Sequence, residues 1–255
     1  MLKHSHILLM ALLLSPLAAE ARVFSFKDRT VAGFVRGGGI NSQLAQDAFA
    51  NSSGVSTVFS NSDVAFNFFG EIGVQFSGGP LSVRLGIEAL RPKELEIKGK
   101  NASDAELFTL HSAVFAYSPT LTIEYVYSAM ESVRFYGYAA VGYSFVTLDN
   151  QYDMTSTGLT AFSPVTSHTE KGDGSGISGQ LGLGFETMFV DNTTFSLDFG
   201  YRHLVVDNFK HKAANTTISQ GAVAKGDSML NHDGTARKLD LGGLTAGITF
   251  RFYIH

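Results

Sequence analysis

The sequence has no cysteine and no tryptophan, and only five of its 255 residues are proline. Without cysteine there is no disulfide, no thiolate metal site and no cysteine nucleophile. Charged residues are sparse, 16% of the chain, and sum to a net charge of −4. That balance lacks the basic patch nucleic acid demands, so no nucleic-acid partner is expected. Also missing is any apolar run of the roughly 20 residues a membrane-crossing helix needs. The run Ile7–Leu14 is far shorter; it follows Lys3 and precedes Ser15-Pro16 and Ala19-Glu20-Ala21. A basic start, a short apolar core and an A-x-A site predict a secretory signal peptide over 1–21. Ala19 and Ala21 mark the cleavage site, leaving a single domain over 22–255 that begins at Arg22. Losing Lys3 and Glu20 leaves the charge balance unchanged. With no cysteine after the apolar core, no lipid anchor is expected.

What the chain does have is phenylalanine, tyrosine and glycine, at 21, 9 and 27 residues, arranged with a period of two. In the last stretch, Leu239 to Phe252, the residues Leu244, Ala246, Ile248, Phe250 and Phe252 alternate with Thr245, Gly247, Thr249 and Arg251. Such alternation describes a strand with one apolar and one polar face. The pattern recurs over Val64–Ser77, Leu81–Arg91, Leu107–Tyr127, Val133–Leu148, Ile177–Val190 and Thr194–Asp207. A first strand over Val31–Ile40, preceded by Val23–Phe26, has its register blurred by Gly37-Gly38-Gly39. Eight strands result, joined by short turns at 78–80, 128–132 and 191–193 and by long connections at 41–63, 92–106, 149–176 and 208–238.

Short connections at one end and long ones at the other predict an all-β, eight-stranded antiparallel up-and-down transmembrane barrel. Its expected surroundings are outer-membrane lipids. The strand before Pro92 can resume within the charged 92–106 connection. The competing architecture is a soluble lipocalin-like barrel, which would hold large apolar residues inside and charges outside. The continuous apolar face of nearly every strand favours the membrane barrel.

The polar face carries Glu71, Arg84, Glu88, Glu124, Arg134, Glu186, Asp198, Arg202 and Arg251. An eight-stranded barrel is just wide enough for side chains to fill, and buried charges persist when paired. A plug of paired charges is therefore expected, with a narrow eyelet for ions or small solutes as the alternative. Which residues share a height is not legible from sequence. Enzymatic chemistry needs a nucleophile, a base and an orienting acid that converge. His111 and Ser112 are adjacent on a strand and so face opposite ways. His168, beside Ser167 and Glu170, lies in a connection, as do His211 and His232, while His203 falls on the apolar face. No catalytic residue is assigned and no cofactor or metal is expected. The glycine tracts Leu181–Gly184 and Gly172–Gly176 look like phosphate loops, but no helix follows either. Asn51, Asn101, Asn192 and Asn215 match the glycosylation triplet, which has no consequence in a bacterial envelope.

Laid out in this way, the chain resembles small eight-stranded bacterial outer-membrane proteins of the OmpA/OmpX, OmpW and opacity-protein type. The resemblance spans the mature chain and is carried by Arg134–Phe145, Gly176–Glu186 and Gly247–Phe252. The end is similar to the insertion signal of such proteins, on Thr245, Gly247, Phe250 and Phe252. It departs from that signal by continuing through Tyr253, Ile254 and His255. The resemblance implies insertion by the outer-membrane assembly machinery, and no C-terminal peptidoglycan-binding domain is expected. Roles in such families range over structural support, adhesion and passage of small hydrophobic molecules. A structural and surface-interaction barrel, with a ligand met at the loops, is expected first. A narrow channel comes second and a lipid-modifying enzyme third.

Overall fold

The computed structural model describes residues 30–42, 58–59, 65–101, 103–130, 133–163, 165, 168–190, 192–231 and 234–254. The expected signal peptide, with Ala19 and Ala21, lies outside the described residues. So do Val23–Phe26, most of 41–63, Asn51, Ser167 and His232.

Eight long strands form the wall: β1 Val31–Ser42, β2 Ala65–Gly78, β3 Leu81–Pro92 and β4 Glu106–Ala129, then β5 Val133–Met154, β6 Thr169–Val190, β7 Thr193–Val206 and β8 Gly243–Ile254. Each pairs antiparallel with the next. β8 closes on β1 from Val31↔Ile254 to Asn41↔Leu244, so the wall is a ring. Closure removes the unpaired strand edges that lipid could not hydrogen-bond. Among the described residues no helix is long and apolar enough to cross a membrane; the strands do the crossing.

Alternation sets the faces as the sequence predicts. On β5, Val141, Tyr143 and Phe145 are exposed, while Arg134, Tyr136 and Tyr138 point inward and are buried. The outward apolar run from Phe135 to Phe145 spans ten residue steps. At ~3.4 Å per residue and a ~40° tilt it rises about 26 Å, matching the roughly 25 Å apolar band of an outer-membrane barrel. Aromatic side chains encircle the band near both ends. Tyr117 stacks on Phe145 with centroids 4.9 Å apart, and Phe250 meets Phe195 at 5.6 Å. The turn at 78–80 is tight because Gly79 takes φ +61°, and Asn192 takes φ 63° in the turn before β7.

Three expectations need correction. The connection placed at 149–176 is half strand: β5 runs to Met154, a short helix α1 covers Ser156–Ala161, and β6 starts at Thr169. Second, the connection placed at 208–238 carries small strands at Lys210–His211, Asn215–Thr217 and Gly221–Val223. Third, β8 starts at Gly243, not Leu239, and runs past Phe252 to Ile254; Leu239–Asp240 pairs separately with Val205 and Val206. Strand resumes after Pro92, over Leu95–Lys100, as the sequence allowed. Between the pairs Leu90↔Ala116 and Leu95↔Ser112 one strand has an extra residue, so the inward parity flips from even to odd there.

The extended strands build a second tier above the aromatic ring, and there the polarity inverts. Inward residues become apolar (Leu95, Ile97, Leu110, Leu148), while outward ones become charged (Glu96, Lys98, Asp149, Asp153, Lys171). The lower tier is built for lipid outside; the upper is built for water, with the inside-apolar pattern of the soluble barrel weighed above. This contrast is directly testable. Leu183→Arg, on the exposed apolar face of β6, is expected to cost about 2–4 kcal/mol in lipid. Gln151→Arg, outward in the upper tier, is expected to stay within about 0.5 kcal/mol. Urea unfolding of the two variants in phospholipid vesicles checks this, and equal costs would refute the tier boundary.

Candidate functional site

All nine charges predicted for the lumen lie there, each 4% exposed or less. A tenth joins them: Arg36, on β1, which the glycine run after it had hidden. The set is five carboxylates (Glu71, Glu88, Glu124, Glu186, Asp198) against five guanidiniums (Arg36, Arg84, Arg134, Arg202, Arg251), so its charge sums to zero.

Two clusters form. Nearer the short turns, Glu186 is shared by Arg134 and Arg251, accepts a hydrogen bond from Thr194, and takes one from the Tyr253 hydroxyl at 3.1 Å. Arg251 also reaches Glu124 at 2.7 Å, and Arg84 lies 3.1 Å from the same oxygen. Tyr253, beyond the expected end of the strand, obeys the same alternation and points inward, where it accepts from Arg134 at 2.9 Å. Higher up, Arg36 grips Asp198 with Nε and Nη2 and lies 3.4 Å from Glu71. Arg202 pairs with Glu88. Thr120 donates to Glu71 at 2.9 Å, and Arg36 stacks over Phe69 at 4.6 Å.

Glycine makes room for these large groups. A Cβ on Gly184 would sit 2.1 Å from the Tyr136 ring, and one on Gly86 2.4 Å from a Glu71 oxygen. Gly247, singled out for insertion, would place a Cβ 3.0 Å from Asp198. It therefore has a packing duty in the lumen as well. Between Arg36, Glu71, Glu88, Thr122, Gln180 and Arg202 there remains a void of about 10 Å³, about one water's worth. Arg202 keeps Nε and Nη1 without a protein partner in this region, and a water there would satisfy them.

Above this, the segment 208–241 folds into the barrel mouth as a plug. Phe209, Met229, Leu239 and Leu241 are each 1% exposed or less and pack with Leu95, Leu107, Leu148 and other wall residues in one apolar core. The glycine tract over 172–176, which looked like a phosphate loop, is the socket for this plug. A Cβ on Gly172 would meet the Met229 sulfur at 2.0 Å, and one on Gly174 the Phe209 ring at 3.0 Å. Inside the apolar core sits one buried ion pair, Arg237 to Glu170 at 3.3 Å. Glu170 also accepts from Tyr152 at 3.3 Å and from Ser219 at 3.0 Å. Neither Glu170 nor Arg237 was legible as a lumen charge, since both fall in stretches that read as connections.

Of the described histidines, His111 and His203 lie outside this interior, while His211 is buried within the plug segment. His111 lies outward between Glu94 at 3.5 Å and Asp153 at 3.4 Å, whereas Ser112 is buried on the other face. The His211 ring hydrogen-bonds Gln220 at 2.8 Å, and His203 is exposed on the outer wall.

A closed, even-numbered antiparallel barrel with an apolar outer band, aromatic rings and a charge-filled interior is an integral outer-membrane β-barrel. That class rests on the barrel itself. No protein-family model and no curated protein matches the chain. Among solved structures it is similar to the outer membrane protein OprG from Pseudomonas aeruginosa, at 17% identity and TM-score 0.45, covering 89% of this chain and 97% of that one. It is also similar to Ail, the attachment invasion locus protein of Yersinia pestis, at 14% identity and TM-score 0.42, over 88% and 99% of the two chains. A major outer membrane protein from Thermus thermophilus aligns at 14% identity and TM-score 0.43, over 87% and 99%.

Proposed function

We propose that this barrel is a non-conducting, non-enzymatic scaffold that fixes a rigid extracellular tier for contact with a surface ligand. The observation that carries the reading is obstruction at two levels. Paired charges crowd the membrane tier, with a void of only about 10 Å³ between Arg36, Glu88 and Arg202, and the 208–241 plug fills the tier above with a continuous apolar core. Ions would have to break buried pairs in the first and part packed side chains in the second. The outward upper tier, by contrast, is polar, and its strands are continuous with the membrane wall, so it stands as a stiff platform. Loops held on such a scaffold are where binding residues concentrate.

The test is conductance of the purified barrel in planar lipid bilayers. A baseline without discrete single-channel steps is expected. Reproducible steps that disappear when Arg202 or Glu88 is changed would instead establish the narrow channel. Unaltered lipid A mass in overproducing cells is expected on the non-enzymatic reading; a shifted mass would overturn it.

A further inference from the structure

At the short-turn end the rim of the barrel has a step. β4 outruns β3 there: Leu81 pairs with Tyr125 and the Val126 amide bonds the Pro80 carbonyl at 2.8 Å, whereas β4 continues to Ala129. Beside the step lies a cavity of about 340 Å³ lined by Gly79, Pro80, Val126, Tyr127, Ala129 and Arg134. Val126 and Ala129 lie opposite the inward Tyr136 and Arg134, with a bulge between Val126 and Ser128, so both face the lumen. The lining is apolar in the main. Arg134 is its most buried member, 4% exposed and bonded to Glu186 and Tyr253.

We propose that this cavity is filled by residues 23–26 of the chain itself, with the Phe24 and Phe26 rings seated in it. Three observations select that occupant. Its attachment is at the rim: Thr30, the residue before β1, accepts a hydrogen bond from the Ser77 amide at 2.7 Å, two residues from Gly79. Its length suffices. β4 lies three strand spacings from β1, about 14 Å, and the six residues from Phe24 to Thr30 reach up to about 20 Å. Its chemistry matches, since Val23, Phe24 and Phe26 are apolar and are followed by Lys27, Asp28 and Arg29 as a charged tether. In an extended stretch positions 24 and 26 share one face, so both rings enter together. Lipid tails do not reach side chains that face the lumen. A peptide from another protein must compete with a tethered one, whose effective concentration is on the order of millimolar. Seated there, the rings cover Arg134 and keep water from the cluster around Glu186. This goes beyond the surface-contact reading above and does not depend on it.

The test puts the photo-crosslinker p-benzoylphenylalanine in place of Phe24 in the protein extracted from outer membranes, and maps its adducts by mass spectrometry. Adducts on Pro80 and on residues 126–129 are expected. The turn before β7 is the counterpart, because Thr193 lies only two strand spacings from β1 by way of β8. Adducts shared equally between the two turns, or found on detergent alone, would overturn the docking. A second readout is the rate at which a maleimide labels Ala129→Cys, the single thiol of a chain without cysteine. Adding Phe24→Ser and Phe26→Ser is expected to raise that rate about tenfold, or about 1.4 kcal/mol in the docking equilibrium. Thr193→Cys should label at the same rate with or without them. An unchanged rate at Ala129→Cys, or an equal rise at both positions, would sink the proposal. Heat-modifiability on gels certifies that each variant is folded.

Discussion

Replacing Glu186 with alanine is expected to cost about 3–5 kcal/mol of barrel stability, the scale for breaking a buried charge pair by removing one partner. Glu186 is fully buried and shared by Arg134 and Arg251, with Thr194 and Tyr253 donating to it as well. Its loss leaves two buried guanidiniums sharing the remaining acceptors. The surviving carboxylate near Arg251, Glu124, is already engaged by Arg84. Urea unfolding in phospholipid vesicles, followed by β-sheet circular dichroism, reads the effect. A double-mutant cycle with Arg134→Met should recover part of the loss, because it removes one of the stranded charges. A cost below about 1 kcal/mol would mean that the lower lumen is hydrated enough to screen its charges, and the plugged interior would have to be abandoned.

The second large effect is expected in the upper tier. Arg237→Ala strands Glu170 in an apolar core, again on the scale of about 3–5 kcal/mol, but here the segment carrying the arginine can leave. Opening of 208–241 should therefore become about a hundredfold more frequent or greater, since each 1.4 kcal/mol is tenfold in an equilibrium constant. Hydrogen exchange resolves this. The Met229 amide bonds to the Phe209 carbonyl and the Leu241 amide to that of Leu204, and both should lose protection while amides of the lower wall keep theirs. Converting both members of the pair to leucine should restore protection, because an apolar pair of similar bulk carries no desolvation cost. Unchanged exchange in Arg237→Ala would show that the Met229 and Phe209 sockets alone hold the plug, and the ion pair would lose its role as a latch.

Where the sequence was legible, the reason is local. In the lower tier of β2 to β8 the outward residues face hydrocarbon and the inward ones face charge, so period and polarity agree. Glu71, Arg84 and Glu124 could be placed inside from their neighbours alone. Where it was not legible, one of those two signals failed. Before β1 reaches its glycines, Arg36 had too few alternating neighbours to set its face. On β6, the run from Thr169 to Gly176 has no large apolar side chain on either face. Its inward glycines are sockets for side chains from 208–241, some tens of residues later in the chain. On β5, Leu148 and Tyr152 do alternate with Asp149, Asp153 and Gln151, but with the polarity reversed, and the stretch read as a polar connection.

Period-two alternation, the count of eight strands and the asymmetry of their connections were determined by the sequence itself, because side-chain direction along a strand depends only on the parity of position. The partners of each buried charge were decided by the tertiary structure alone. Arg251 meets Glu124 and Arg36 meets Asp198 across a lumen, over separations of 127 and 162 residues, once the closed ring fixes its register. So was the change of solvent halfway up the wall. A strand records which residues share a face, but whether that face meets lipid, water or a plug depends on what the rest of the chain places against it.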